Sequence, residues 1–137
     1  MITGPLVHPP LLEALASSGH GSGVLIADGN YPYLTATGSG VRLIHLNLRP
    51  GLLDVTSVLD AVLTVVNIEA ATVMQTPPGV AAPAQDDYER RLGADVPMER
   101  VDRFAFYDRV RSPDVGVVIA TGDERLYGNL LLTIGLR

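Results

Sequence analysis

Cysteine and tryptophan are absent from this chain of 137 residues, and only 18% of its residues are charged. Without cysteine there can be no disulfide, thiolate nucleophile or cysteine-based zinc site. The charged fraction is below the roughly 25% of typical soluble domains, which suggests that other copies of the chain cover part of the surface. No stretch approaches the ~18 apolar residues of a membrane span, and residues 1–5 lack the charged start of a secretory signal. We therefore expect a cytoplasmic protein without a membrane partner.

Positive charge is scarce as well. Ten basic residues stand against fifteen acidic ones, which gives a formal net charge of −5, and the arginines are scattered without forming a run. Binding of nucleic acid requires a basic patch that neutralises phosphates. The composition therefore argues against nucleic acid as a partner.

Apolar runs and periodic segments alternate along the chain. They predict helices over residues 9–16, 52–66 and 86–92, a turn leading into a helix within 101–110, and strands over 24–27, 41–48, 68–74, 115–120 and 130–136. Alternating strands and helices are typical of a layered α/β domain, and a closing strand joined by a loop indicates a mixed sheet. The predicted fold is α/β, a single three-layer domain over residues 1–137 with a central mixed β-sheet flanked by helices.

A glycine-rich loop, Gly19-His20-Gly21-Ser22-Gly23, follows the first predicted helix. We expect Gly19 to end that helix in a left-handed conformation. The loop is not a nucleophile elbow, because His20 occupies the place of a required glycine, and it lacks both the third glycine of a dinucleotide fingerprint and the lysine of a P-loop. The three histidines do not show metal-ligand spacing, so no metal site is predicted.

Polar residues stand at the ends of several apolar runs. Asp28 follows a buried strand, and ligands of open α/β sheets bind at the carboxyl ends of strands. Arg103 could instead pair on the surface with Asp102 or Glu99. The candidate functional residues are His20, Asp28, Arg103, Tyr127 and Asn129.

The other candidates also have ordinary structural interpretations. His20 could bond a carbonyl group at the helix end, and Asp28 could make an Asx turn with Asn30. Tyr127 could lie in the core with its hydroxyl group at the rim, and Asn129 could be a turn residue. No single position establishes a function by itself.

Four segments together carry a resemblance to a known family. They are Gly-His-Gly at 19–21, Asp-Gly-Asn-Tyr-Pro at 28–32, Asp-Arg-Phe-Ala-Phe-Tyr-Asp-Arg at 102–109 and Thr-Gly-Asp-Glu-Arg-Leu-Tyr-Gly-Asn at 121–129. In this order they resemble the family of L-fucose mutarotase and D-ribose pyranase over essentially the whole chain. The third segment indicates the fucose branch, because the ribose branch typically has a histidine at the position of Arg103 and lacks the aromatic run.

The resemblance implies a cofactor-independent isomerase that interconverts the α and β anomers of a reducing monosaccharide, L-fucose above all. It implies that His20 is the catalytic proton donor and that the sugar is bound by Asp28, Arg103, Tyr127, Gly128 and Asn129. Members of the family assemble into rings or stacked rings, often decamers, with the site at a subunit interface. The resemblance therefore also implies a homo-oligomer.

Opening of a sugar ring requires a group that takes the proton of the anomeric hydroxyl and a group that gives a proton to the ring oxygen. Histidine suits this task because its ordinary pKa is about 6.5, and no redox cofactor is needed.

Two alternatives stay open. One is a D-ribose pyranase, which interconverts furanose and pyranose. The other is a non-catalytic sugar-binding oligomer, because Ser22 stands where the family pattern usually has an aspartate.

Overall fold

The computed structural model describes all 137 residues, and it contains four helices and six strands. The helices are α1 (Pro9–Ser17), α2 (Val55–Val62), α3 (Pro83–Leu92) and α4 (Arg103–Val110). The strands are β1 (Gly23–Ala27), β2 (Arg42–His45), β3 (Ile68–Met74), β4 (Met98–Val101), β5 (Val115–Ala120) and β6 (Leu130–Ile134).

All six strands form one sheet in the order β2-β5-β1-β6-β3-β4. The pairs β2–β5, β5–β1 and β3–β4 are parallel, whereas β6 is antiparallel to both β1 and β3. Five strands therefore point the same way, and the predicted mixed sheet is confirmed. We call the edge where these five strands end the carboxyl edge (Ala27, His45, Met74, Val101 and Ala120) and the edge where they begin the amino edge; β6 starts at the carboxyl edge.

Each face of the sheet carries its own layer of helices. Val24 and Ile26 of β1 belong to a core cluster that also contains apolar residues of α1, α2 and α3. Leu25 and Ala27 point to the opposite face, where Phe106 and other residues of α4 pack. Successive side chains of a strand alternate between faces, so an entirely apolar strand serves both layers. The three-layer α/β prediction is confirmed.

Two predicted helices have different limits in the structure. The predicted helix 52–66 is too long at both ends, because Leu52 pairs with Arg49 in an isolated antiparallel bridge and α2 ends at Val62. The Asp54 carboxylate accepts the Ser57 amide at 2.7 Å and so begins the helix at Val55. In contrast, α3 begins three residues earlier than predicted, because Pro83 is compatible with the first helical turn.

Further corrections concern strand limits and the end of α1. The strand β4 was not predicted, β2 is shorter than the predicted 41–48, and β6 ends at Ile134 instead of 136. The left-handed conformation expected for Gly19 is wrong. The helix α1 ends at Ser17, the C-cap residue Ser18 is extended (φ −87°, ψ 144°), and the glycine of the loop with a positive φ is Gly21 (82°).

Candidate functional site

Asp28 and Asn129 meet at the carboxyl edge of the sheet. Asp28 directly follows β1, and Asn129 directly precedes its antiparallel neighbour β6. The Asp28 backbone N–H donates to Asn129 Oδ1 at 2.9 Å, and Asn129 Nδ2 donates to Asp28 Oδ2 at 2.8 Å. Both residues are buried. The topology therefore joins two predicted sugar-binding residues that are 101 positions apart in the chain.

Hydrogen bonds offset part of the cost of burying the carboxyl group of Asp28. Its Oδ1 accepts the Asn30 amide at 2.9 Å, so the predicted Asx turn exists beside the bond to Asn129. Burial raises the pKa of Asp28 above its ordinary value; the hydrogen bond from Asn30 lowers it, and the negative charge of Asp123 raises it again. A buried carboxylate of this kind is stabilised by every additional donor. Hydroxyl groups of a sugar are such donors.

Two side chains of α3 hold the segment that contains Tyr127 and Gly128. The buried amide of Gln85 donates to the carbonyl of Met74 at 2.8 Å and to that of Tyr127 at 3.2 Å. The hydroxyl of Tyr88 donates to the Gly128 carbonyl at 2.7 Å. Tyr127 has a left-handed backbone (φ 58°), which is costly for a residue with a side chain. The bond from Gln85 helps to hold that conformation, and the Tyr127 ring is partly buried against the core beside α4.

The two glycines of the segment 121–129 permit close approaches of the backbone. A Cβ at Gly128 would lie 2.9 Å from the Arg125 carbonyl oxygen and 3.4 Å from Asp28 Cβ. A Cβ at Gly122 would collide with the carbonyl oxygens of Arg49 and Leu52. The lack of a side chain at Gly128 is thus what brings the Tyr127-Gly128-Asn129 segment against Asp28.

An ion pair fixes the first part of the same segment to α2. The buried carboxylate of Asp123 accepts the Val55 amide at 2.9 Å and Arg125 Nη2 at 2.6 Å, while that same nitrogen donates to Thr56 Oγ1 at 2.9 Å. Burial alone would raise the pKa of Asp123, but the hydrogen bonds from Arg125 and from the backbone outweigh it and lower the pKa. Asp123 is therefore an anionic anchor of the loop and not a proton donor.

Arg103 also lies at the carboxyl edge, as the first residue of α4. Neither expected surface pair forms: Asp102 accepts backbone amides at the start of α4, and Glu99 pairs with Arg109 at 2.7 Å. Arg103 Nε donates to the Tyr107 hydroxyl at 3.0 Å, and its guanidinium carbon is 5.4 Å from the centre of that ring. The charge of Arg103 has no carboxylate partner in the chain.

Aromatic rings connect Arg103 to the strand that carries Asp28. In the sheet order, β4 is three strands away from β1, roughly 14 Å at a spacing of ~4.8 Å. The Tyr107 ring packs edge-on against Tyr31 at 5.5 Å, and Tyr31 lies in the turn after Asp28. The rings of Tyr31 and Tyr107 thus link the Arg103 helix to the Asp28 turn.

His20 lies at the other end of the sheet. Its loop precedes β1 and is fastened by a bond from the Gly21 amide to the Ile134 carbonyl at 2.8 Å. The imidazole does not bond a carbonyl at the helix end; His20 Nε2 lies 2.9 Å from Glu69 Oε2. The five residues of β1 separate His20 from Asp28, a length of about 17 Å at ~3.3 Å per residue. Within one copy of the chain, His20 is therefore apart from the other candidates.

An open polar cleft of about 380 Å³ lies at the carboxyl edge, beside the ends of β1, β2 and β5. Its lining includes Asn30, Asn47, Arg49, Thr121 and Glu124, but not Asp28, Tyr127 or Asn129. The chain contains no cluster of three or more side chains that could hold a metal ion, and none of its helices is long and apolar enough to cross a membrane.

The residues that support the candidates were missed by the sequence analysis. Gln85 and Tyr88 lie in a helix with no unusual motif, and their roles depend on contacts 42 and 40 positions away in the chain. Glu69 gave one signal, since it is a charged residue inside the apolar run 68–74. Asp123 and Arg125 lie in the segment 121–129, and nothing in the sequence indicates that they form an ion pair with each other.

Comparisons with known proteins place this fold and these motifs in context. The model of the RbsD / FucU transport protein family matches residues 1–137. A human (Homo sapiens) protein named fucose mutarotase is 33% identical over 144 residues, which cover 96% of this chain and 90% of that protein. FucU from Bifidobacterium longum, whose crystal structure is known, shares 33% sequence identity with this chain. The two structures superpose over 96% of each chain with a TM-score of 0.80. Bacillus subtilis RbsD complexed with D-ribose shares the fold with a TM-score of 0.86 at 23% identity, covering 100% of this chain and 99% of that one.

Proposed function

Since this chain belongs to the RbsD / FucU family, we propose that it is a mutarotase, an isomerase that interconverts the α and β anomers of L-fucose without a cofactor. The observation that carries the proposal is the 33% identity to human fucose mutarotase over 96% of the chain. The carboxyl edge adds a suitable set of groups: a buried carboxylate, an amide, a tyrosine and an arginine without an acidic partner.

The ribose reaction is the less supported alternative. The neighbour that holds D-ribose shares 23% of its residues with this chain, which is evidence for the fold and not for the sugar. The aromatic segment 102–107, with Arg103 in it, is the feature of this sequence that favours the fucose branch.

We assign the site residues within this proposal by their chemistry. Asp28 accepts hydrogen bonds from sugar hydroxyls, and Asn129, which already bonds it, supplies both a donor and an acceptor. Arg103 offers a planar set of donors to hydroxyl oxygens or to the ring oxygen. His20 moves the proton between the anomeric hydroxyl and the ring oxygen.

The separation of His20 from the other residues implies a site shared between copies of the chain. His20 lies at the amino edge, whereas Asp28, Arg103 and Asn129 lie at the carboxyl edge. A single sugar can contact both sets only if the amino edge of one copy faces the carboxyl edge of another. Such a head-to-tail contact uses two different surfaces, and it closes into a ring when the rotation between copies permits. We therefore propose a homo-oligomeric ring with the sugar sites between subunits.

Anomer exchange measured by saturation-difference NMR tests the function. We expect the protein to accelerate exchange on L-fucose more than on D-ribose. His20→Ala should lower the accelerated rate by roughly 10²-fold or more, because general acid–base catalysis contributes that much.

The matched control is His8→Asn, which keeps a side chain able to cap α1 and should leave the exchange rate unchanged. Exchange on neither sugar, with retained binding of L-fucose, would establish the non-catalytic alternative. Exchange on D-ribose alone would establish the pyranase.

A further inference from the structure

We propose that Tyr33 is a positioning residue for the sugar site: its hydroxyl group holds the backbone of Asp28, so that the Asp28 carboxylate meets the sugar in a preset position. This inference rests on the proposed function and deepens it. Its basis is the place of the Tyr33 hydroxyl, which donates to the Asp28 carbonyl oxygen at 2.5 Å and lies 3.4 Å from the carbonyl oxygen of Thr121. Those two carbonyl groups directly follow β1 and β5, which are parallel neighbours in the sheet.

The peptide group between Asp28 and Gly29 is held at both of its polar atoms. Its carbonyl oxygen accepts the Tyr33 hydroxyl, and its N–H donates to the Asp123 carbonyl at 2.8 Å. On the other side of the Asp28 Cα, the Asp28 N–H donates to Asn129 Oδ1 at 2.9 Å. Three bonds therefore fix the main chain around the Asp28 side chain, and Tyr33 supplies the one at the Asp28 carbonyl.

The Tyr33 hydroxyl is a neutral donor throughout the neutral pH range. Burial raises the pKa of Tyr33 to about 12, and the negative charge of Asp28 acts in the same direction. A tyrosine hydroxyl has one hydrogen to donate, so the shorter contact with Asp28 takes it in preference to the longer contact with Thr121. The Tyr31 amide reaches the same Asp28 oxygen at 3.3 Å, which is a longer bond within the turn. The hydroxyl of Tyr33 is therefore the nearest donor to the Asp28 carbonyl.

The Tyr33 ring extends the row of planar groups that begins at Arg103. The Arg103 guanidinium lies over the Tyr107 ring, and Tyr107 packs against Tyr31. The ring centres of Tyr31 and Tyr33 are 6.0 Å apart. The row thus runs from the start of α4 to the turn after β1, and Tyr33 is the member whose hydroxyl bonds the main chain of Asp28. It connects the place of one proposed sugar ligand, Arg103, with that of another.

The contact acts on binding of the sugar and not on transfer of its proton. Tyr33 lies at the carboxyl edge with Asp28, whereas His20 lies at the amino edge. A turn that already has its bound shape loses less freedom when a ligand binds, so a preset carboxylate increases affinity. A typical hydrogen bond changes an equilibrium constant by roughly fivefold. Loss of the Tyr33 hydroxyl should therefore raise KM and leave kcat nearly unchanged, which is the pattern of an interaction that serves the bound sugar and the transition state equally.

The test is Tyr33→Phe, which keeps the ring in its row and removes only the hydroxyl group. NMR exchange on L-fucose at several sugar concentrations gives KM and kcat, and amide hydrogen exchange reports on the turn. We expect KM to rise by roughly fivefold with a nearly unchanged kcat. The amides of Gly29 and Asn30, which bond Asp123 and the Asp28 carboxylate, should exchange roughly fivefold faster.

Thr37→Val is the matched control, because it removes a hydroxyl from the same loop. The Thr37 hydroxyl donates to the Tyr33 carbonyl at 2.8 Å and makes no bond to Asp28. This variant should leave KM and the exchange of the Gly29 and Asn30 amides unchanged, although it loses one hydrogen bond as Tyr33→Phe does.

An unchanged KM in Tyr33→Phe, an equal rise of KM in Thr37→Val, or a fall in kcat in place of the rise in KM overturns the proposal. If the unmodified protein exchanges no sugar, the proposed function fails. The amide exchange of Gly29 and Asn30 then still decides the inference, since equal exchange in the unmodified protein and in Tyr33→Phe would show that the hydroxyl does not hold the Asp28 turn.

Discussion

At the scale of single residues, the contact between Asp28 and Asn129 depends on one of the two being neutral. Asn129 donates to the buried carboxylate through Nδ2 and accepts the Asp28 amide through Oδ1. An aspartate at position 129 would keep the acceptor and replace the donor with a second negative charge. Because burial already raises the pKa of Asp28, a second carboxylate would raise it further.

We therefore predict that Asn129→Asp destabilises the protein by about 2–4 kcal/mol at pH 7 and weakens binding of L-fucose. Carboxylates whose pKa is raised by folding bind more protons in the folded state than in the unfolded state, so stability falls as the pH rises above about 4. The deficit should shrink when urea unfolding is repeated at pH 4.

Asn67→Asp is the control for this substitution, because Asn67 donates to the Leu136 carbonyl in an exposed place. It should cost less than about 1 kcal/mol at either pH. Equal losses at positions 67 and 129, or a loss at 129 that is independent of pH, would contradict the account of the Asp28 site.

The places of residues that flank a strand could be predicted from the sequence, whereas the roles of residues that act through distant contacts could not. Asp28 and Asn129 stand at changes from apolar to polar sequence, and the alternation of elements brings such positions to one edge. Nothing local reveals that Gln85 reaches Tyr127 or that Glu69 reaches His20, because the pairing of β3 with β6 creates the second contact and the packing of α3 creates the first.

At the scale of elements, Asp123 and Arg125 fasten the segment 121–129 to the start of α2. The first amide of α2, that of Val55, is satisfied by Asp123 from another part of the chain, whereas Asp54 serves the Ser57 amide. Because the same carboxylate pairs with Arg125, it connects the segment 121–129 directly to the start of α2. The ion pair therefore fixes the position of the backbone just before Tyr127 and Asn129.

We predict that Asp123→Asn lowers the free energy of unfolding by about 2–3 kcal/mol at pH 7, because Arg125 loses its buried partner. The pKa of Asp123 is lowered in the folded protein, so its contribution is present above the ordinary aspartate pKa of about 3.9 and disappears as the pH falls through the lowered value. Urea unfolding at pH 7 and at pH 3 should therefore show a difference in stability between the two proteins at pH 7 that becomes smaller at pH 3.

The exposed pair of Asp108 with Arg111 provides the comparison. The side chain of Asp108 is 79% exposed, so Asp108→Asn should change stability by less than about 0.5 kcal/mol. If Asp123→Asn behaved like Asp108→Asn, the ion pair with Arg125 would not be what holds the loop.

Helices and strands could be predicted where their apolar pattern is long. They could not be predicted where tertiary contacts decide whether an element forms or where it begins. The runs 24–27 and 115–120 are buried strands as expected. The strand β4, Met98-Glu99-Arg100-Val101, has charged residues at its centre. It forms a strand because it pairs with β3 as the outermost strand of the sheet. The helix pattern over 52–66 is continuous in the sequence, and the bridge between Arg49 and Leu52 is what removes its first residues.

At the scale of the whole molecule, the sheet carries the proposed proton-transfer residue, His20, at its amino edge and the proposed sugar-binding residues at its carboxyl edge. The proposed ring unites the two ends of different copies, and this arrangement can be tested with two variants that are each inactive. His20→Ala spoils the amino edge and leaves the carboxyl edge intact, whereas Asp28→Asn does the reverse. In an assembly made only of one variant, every site contains one defective edge.

We predict that co-assembly of the two variants restores activity. When His20→Ala and Asp28→Asn subunits with different affinity tags are produced together in equal amounts, about a quarter of the head-to-tail contacts join an intact amino edge to an intact carboxyl edge. Assemblies that carry both tags should therefore exchange L-fucose anomers at about a quarter of the unmodified rate per site. Two His20→Ala populations with different tags, purified in the same way, should stay inactive. Activity that never exceeds that of the separate variants, in assemblies shown to contain both tags, would contradict a sugar site shared between copies.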